Sequence, residues 1–240
     1  VKGADIVFSL VTPTAAPEVA ERAACGLAGK YYLDLNAASL RTKEQAAEIV
    51  ETAGGLFVDG AIMGPLKRQQ HRVSTLVSGP EAAKLAATLR SWEMDVRAIG
   101  TRIGLASTVK MIRSVYTKGL EALVLEFMVA ANHYGATEEV LDSLEEILRI
   151  GPFLLPFRQM VAELILEQAP HGARRVAEME QVVRTLEEIG IEPLIARATL
   201  ARLQWGVSEV RLKEHFADGS PESYQQVLDV IEQTALQPAQ

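Results

Sequence analysis

Lys110, Arg113, Ser114, Thr117 and Glu121 recur at intervals of one to four residues. At about 100° per residue they fall on one narrow polar stripe of a helix. A lysine on such a stripe becomes a proton acceptor when burial or neighbouring cations lower its pKa. Arg113 and Lys118 lie one and two turns away and are the cations at hand. A neutral amine there takes the proton of a hydroxyl; the ammonium returns one to a carbonyl. The same stripe also suits a solvated face, so the elements around it have to decide.

The stripe belongs to the stretch Gly104–Tyr134, GLASTVKMIRSVYTKGLEALVLEFMVAANHY. Leu105, Val109, Ile112, Val115, Tyr116, Leu120, Leu123, Val124, Phe127 and Met128 recur at helical spacing. The pattern predicts one long, mostly buried helix. Glu126 falls on the side away from Lys110 and reads as a structural partner.

Upstream, short β-branched runs alternate with helical patterns. Asp5–Val11 (DIVFSLV) reads as a strand covered on both faces, ended by Thr12-Pro13. Residues 17–26 read as a helix with proline in its first turn. Lys30–Leu35 is a second strand, and 40–54 a second helix with Thr42 as a candidate N-cap. Leu56–Ala61, Thr75–Ser78 and Val96–Ile99 are three further strands, with a helix over 81–91 before the last. The order β-α-β-α-β-β-α-β predicts a mostly parallel, incomplete doubly wound sheet. After Gly135 no strand is predicted. Helices are expected over 138–149, 152–168, 171–189, 193–205 and 221–234, with LQPAQ as a frayed tail.

Composition narrows the class. The 240 residues carry 24 Lys and Arg against 31 Asp and Glu, a net charge of −7, which disfavours a general nucleic-acid binder. Cys25 is the single cysteine, which excludes an intramolecular disulfide and a cysteine-based zinc cluster; its Ala-rich helical setting reads as buried and structural. His71, His133, His171 and His215 show no metal-ligand spacing, so no metal site is expected. No apolar run approaches the roughly 20 residues a membrane span needs, and no leader pattern opens the chain; a cytoplasmic location is expected.

Ligands of open α/β sheets bind at the carboxyl ends of strands. Three such ends carry suggestive loops: Val11-Thr12-Pro13, Asn36-Ala37-Ala38-Ser39, and Asp59 through Pro65. Each alone is ordinary turn chemistry; together with Lys110 they could enclose a cleft. The basic run Lys67–Arg72 reads as an exposed loop, with a phosphate or partner role open. Arg174 and Arg175 read as a salt-bridged face, with a substrate anion or a subunit interface as the alternatives.

The segments ADIVFSLVTP, YLDLNAAS, FVDGAIMGP, LVSGPEAA and GLASTVKMIRSVYTKGLEAL occur in that order. Together they resemble the β-hydroxyacid dehydrogenase superfamily, which includes 3-hydroxyisobutyrate and 6-phosphogluconate dehydrogenases. HGARRVAEMEQVVRTLEEIGIEP is similar to the helical domain of a 6-phosphogluconate-dehydrogenase-like branch. The resemblance implies α/β plus all-α architecture. A partial Rossmann-type, NAD(P)-binding sheet would span residues 1–103. A long interdomain helix and an α-helical substrate and dimerisation domain would fill 104–240.

It also implies roles. Lys110, six residues after Gly104, matches the catalytic lysine. Ile62-Met63-Gly64-Pro65 aligns with the family's Val-Ser-Gly-Gly substrate loop: Gly64 matches, and Met63 replaces the serine. Ser114 stands where the family has asparagine, and cannot make the amide's two-ended contact. Val11, Thr12, Pro13, Asn36 and Ala38 match segments lining the nicotinamide half of an NADP or NAD site. A small hydroxy acid and its keto form are the implied substrate pair, and a homodimer the implied assembly. Reductases of imines in the same superfamily usually lack the lysine, so Lys110 argues against that activity.

One family element is absent from the sequence: no G-x-G-x-x-G follows a strand. In the family this turn precedes the first segment matched here. The expectation is therefore a chain lacking about 60 residues of a dehydrogenase, two βα units of roughly 30 residues each, and binding NAD(P) poorly as it stands. The rival expectation is a cofactor-free helical interaction or dimerisation protein derived from the same family.

Overall fold

The computed structural model describes residues 1, 3–216 and 220–235, so LQPAQ lies outside the described residues. It divides into two compact units, Val1–Gly119 and Leu120–Gln240.

The first unit holds five strands: β1 (Ile6–Ser9), β2 (Tyr31–Asp34), β3 (Leu56–Ile62), β4 (Thr75–Ser78) and β5 (Val96–Ala98). They lie side by side in sequence order. β1, β2 and β3 are mutually parallel, β4 is antiparallel to β3, and β5 is parallel to β4. The helices are α1 (Ala16–Ala23), α2 (Leu40–Thr52), the single turn α3 (Leu66–Gln69) and α4 (Ala82–Ser91). α5 (Leu105–Tyr134) starts in this unit and ends in the other.

Strand alternation sorts the core into two layers. Leu33, Leu35, Val58, Val77 and Val96 pack with Ala82, Leu85 and Leu89 of α4. Tyr32 and Phe57 face the other way, onto Ala20 and Ala23 of α1 and Ala46, Ala47 and Val50 of α2. Gly60 is needed where it stands, because a Cβ would come within 2.6 Å of Leu35 Cδ2. Gly104 makes the turn into α5 with φ +82, against the side chain of Leu40.

The second unit is helical: α6 (Thr137–Ile147), α7 (Phe157–Leu166), α8 (Gln168–Glu188), α9 (Leu194–Ser208), α10 (Leu212–His215) and α11 (Tyr224–Ala235). Its cores are small. Ala169, Val210, Leu212 and Val227 form one, and Val183, Leu186 and Ala196 another. The start of α9 has no local cap. Instead both carboxylate oxygens of Glu126 accept its N–H groups, from Ile195 at 2.7 Å and Ala196 at 2.8 Å. That is the structural role its side of the helix suggested.

Several expectations are corrected. α5 is not mostly buried: Ile112 is 67% and Val115 76% exposed, and Leu120, Leu123, Leu125 and Val129 are also exposed. Periodicity identifies an apolar stripe but not what covers it. β1 is a sheet edge and is not covered on both faces, with Phe8 exposed. Cys25 is exposed, because Ala20, Ala23 and Leu27 take the core positions around it. Ser39, not Thr42, caps α2; its Oγ accepts Thr42 N at 3.3 Å. Residues 67–72 are exposed but form a turn of helix and a 3-10 turn. The helix expected over 152–168 is a 3-10 turn (Gly151–Leu154) followed by α7, and α10 was not foreseen. Among the described residues no helix is long and apolar enough to cross a membrane.

Replacing Glu126 with Ala removes the acceptor of two helix-start N–H groups. A loss of about 1–2 kcal/mol is expected, the usual scale for a lost N-cap, read as a lower denaturation midpoint with an unchanged slope.

Candidate active site

The centre of the first unit is a polar row that crosses four strands. Ser9 pairs in register with Asp34, Asp34 with Asp59, and Asp59 with Ser78. All four are at most 3% exposed. Such burial requires partners. Lys43 supplies the charge: its Nζ lies 3.0 Å from Asp34 Oδ1, 3.1 Å from Asp59 Oδ1, and donates to Asp34 O at 2.8 Å. Lys43 reaches them because it sits on the buried face of α2 with Ala46, Ala47 and Val50.

Asp59 then ties the row to α5. Its Oδ2 accepts Ser107 N at 2.9 Å and Ser78 Oγ at 3.1 Å, and its Oδ1 accepts Ser107 Oγ at 2.6 Å. Ser78 Oγ in turn accepts Ala106 N at 2.9 Å. The unsatisfied donors of a helix start are thus met by two strand residues.

Lys110 follows one turn later on the same face as Ser107. It is half-buried. Its pKa is lowered, first by burial, then by the positive charges of Arg113 and Lys43. Arg113 was foreseen in that role; Lys43 was not. Arg113 also donates to Met63 O at 2.9 Å, which fastens the loop after β3 to α5. Ser114 Oγ donates to Lys110 O at 3.0 Å, so this hydroxyl is turned to its own helix.

The loops after β1 and β2 are joined by Asn36. Its Oδ1 accepts Val11 N at 2.6 Å and its Nδ2 donates to Ser9 Oγ at 2.9 Å. Its own N–H donates to Asp34 Oδ1 at 2.9 Å. Both ends of the amide are therefore engaged within the chain, and Asn36 shapes the loops. Ala38 is buried and donates its N–H to Asn36 O. Val11 and Thr12 are exposed at the carboxyl end of β1, and Thr12 Oγ1 lies 3.3 Å from Thr14 Oγ1. Pro13 opens a 3-10 turn, Pro13–Ala15. Met63 and Gly64 are half-buried beyond β3, where a Cβ on Gly64 would meet the side chains of Gln69 and Val73.

Hydrogen bonds and ion pairs thus connect the loops after β1 and β2 with the start of α5, and Arg113 joins the loop after β3. Tyr32, beside Asp34 on the same face, has its phenol pushed up by burial. Sequence reasoning missed Lys43, Ser78 and Ser107. The signal was available: two aspartates inside otherwise apolar strands, and a lysine on the apolar stripe of a helix. Arg174 and Arg175 belong to the helical unit, paired with Glu178 at 2.5 Å and Glu167 at 2.8 Å. Among the described residues no group of three His, Cys, Asp or Glu is placed to hold a metal ion.

The chain and its fold are similar to known proteins. A domain of unknown function, DUF1932, matches residues 131–206. An uncharacterized 28.5 kDa protein from the 7S RNA 5′ region of Methanothermus fervidus is 33% identical over 203 residues, 83% of this chain and 74% of the relative. A conserved protein of unknown function, whose structure shows similarity with 3-hydroxyacid dehydrogenases, is 28% identical with a TM-score of 0.54, over 97% of this chain and 78% of that one. An imine reductase from Myxococcus stipitatus, in complex with NADP+, shares the fold with a TM-score of 0.69 at 16% identity, over 95% of this chain and 81% of that one. The sheet, the long helix and the helical unit give the chain the fold of the 3-hydroxyacid-dehydrogenase-like proteins and of that reductase. More narrowly, it belongs to the β-hydroxyacid dehydrogenase superfamily.

The neutral amine is the form that reacts with acylating reagents. Labelling of Lys110 by acetic anhydride, followed by peptide mass spectrometry, should therefore have a midpoint below that of an ordinary lysine. Arg113→Gln removes a repelling charge, favours the ammonium and moves the midpoint to higher pH. An unmoved midpoint would show that Arg113 does not act on Lys110.

Proposed function

We propose that the chain acts as an NAD(P)-dependent oxidoreductase interconverting a small hydroxy acid and its keto form, with Lys110 as general acid/base. One observation carries the reading: a half-buried lysine with a lowered pKa stands one turn after a helix start anchored to the sheet. Neutral Lys110 accepts the hydroxyl proton during oxidation, and its ammonium protonates the carbonyl oxygen during reduction. Arg113 disfavours the ammonium and so makes Lys110 a stronger acid for the return step. Met63, Gly64 and Ser114 border the substrate in this reading. Met63 brings a thioether to a corner where a serine would bring a hydroxyl.

The residues fit the nicotinamide end of the cofactor: Val11 and Thr12 are exposed to line it, while Asn36 and Ala38 hold the loops behind them. When bound, the nicotinamide accepts or supplies the hydride. The 240 residues contain no glycine fingerprint for its pyrophosphate.

In the complete protein, Lys110→Ala should lower turnover of the responsive hydroxy acid by roughly 10²–10⁴-fold, the range for a lost general acid/base; the 240 residues alone are expected to be inactive. The assay is reduced-nicotinamide absorbance across pH with a panel of hydroxy acids. Turnover near wild type at every pH would remove Lys110 from the mechanism.

A second reading is a cofactor-free interaction module, favoured by the exposed apolar side chains of the helical unit. For the complete protein it predicts no change in tryptophan fluorescence on titration with NADH or NADPH, whereas the oxidoreductase reading predicts saturable quenching.

In either reading the partner is a second copy of the chain. The helical unit exposes Leu120, Leu125, Val129, Ile147 and Leu154, large apolar side chains that a second copy would cover. Light scattering should give twice the chain mass, and Leu125→Glu with Leu154→Glu should reduce it to one chain. A wild-type chain that is monomeric at micromolar concentration would refute the dimer.

A further inference from the structure

Lys43 takes no part in the proton transfer proposed above, yet it is fully buried with three oxygen partners. A cation on the inward face of a helix persists only when it is paired and hydrogen-bonded. Here the pairing has a direction. One oxygen of Asp34 meets Lys43 and Asn36 N; its other oxygen, Oδ2, makes no hydrogen bond within the chain. Asp59, beside it on the same face, has its remaining capacity committed to Ser78 and to Ser107 of α5. Lys43 is therefore the bridge between a half that shapes the Val11 and Asn36 loops and a half that holds the start of α5.

We propose that Lys43 is a positioning residue of the site: by bridging Asp34 and Asp59 it fixes the first turn of α5, and with it Lys110, relative to the Val11 and Asn36 loops. The proposal rests on the reading of Lys110 as the acid/base. Burial of Lys110 depends on where the first turn of α5 lies, so a loosened turn admits water to it. The charged groups that bear on Lys110 are Arg113 on its own helix and Lys43 on α2; Asp34 on β2 and Asp59 on β3 are tied to Lys43.

The experiment uses the full chain and needs no turnover. The pH midpoint of Lys110 acetylation and the amide hydrogen exchange of residues 105–110 are measured in wild type, Lys43→Met, Ser107→Ala and Leu85→Ala. Ser107→Ala keeps every charge and removes one bond to Asp59. Leu85 lies in the α4 core, outside the network, and reports general destabilisation.

Lys43→Met and Ser107→Ala should both speed exchange at Ala106 and Ser107. Both should also raise the Lys110 midpoint, by roughly half a pH unit, or about threefold less neutral amine below the midpoint. Leu85→Ala should do neither. If Lys43→Met does not fold, Ser107→Ala decides alone. Wild-type midpoints and exchange in the network variants, or the same shifts in Leu85→Ala, overturn the positioning role. Failure of the acid/base reading shows separately, as undiminished turnover in Lys110→Ala.

Discussion

The ammonium of Lys43, shared between Asp34 and Asp59, is the interaction on which the sheet unit depends. Three charges are held out of water in a space that hydrophobic side chains could have filled more cheaply. Removing one partner of such a cluster typically costs about 3–5 kcal/mol, because the others are left uncompensated. The polar row Ser9–Asp34–Asp59–Ser78 runs at right angles to the strands, so it fixes four of them against slipping. A shift of one residue would turn both aspartates to the α4 side, among Leu33, Val58 and Val77.

The row also joins the sheet to the start of the long helix. Helix starts are usually capped by the preceding residues. α5 instead takes its caps from Asp59 and Ser78, far away in sequence. The first turn of the helix is therefore registered to the strands. Strand ends, loops and the first turn of α5 become parts of one hydrogen-bonded object, the preorganisation that the acid/base role proposed for Lys110 would need.

Much of this could be read from the sequence. The five strands, the mostly parallel sheet and the helix carrying Lys110 followed from periodicity and from Gly and Pro punctuation, whereas the reversal of β4 did not. The role of Glu126 followed from its helical phase. The buried network did not. A lysine within LRTKEQAAEIVET looks like one more solvent-facing charge until its phase against Ala46, Ala47 and Val50 is counted. Cys25 was misjudged because small apolar neighbours signal burial without saying which side is inward. α10 has only four residues, too few for any period to show. The exposure of α5 could not be read because a sequence pattern states which residues avoid water, not which molecule shields them.

The bond from Arg113 to the loop after β3 is made to the backbone carbonyl of residue 63 and leaves its side chain out. Every amino acid offers that oxygen. The attachment of the loop is thereby separated from the identity of the residue it presents. If the loop borders the substrate as proposed, methionine in place of serine changes the surface offered to it while the tether stays the same. Under that proposal, variation at this position is a route by which one scaffold acquires different substrates without losing its loop attachment.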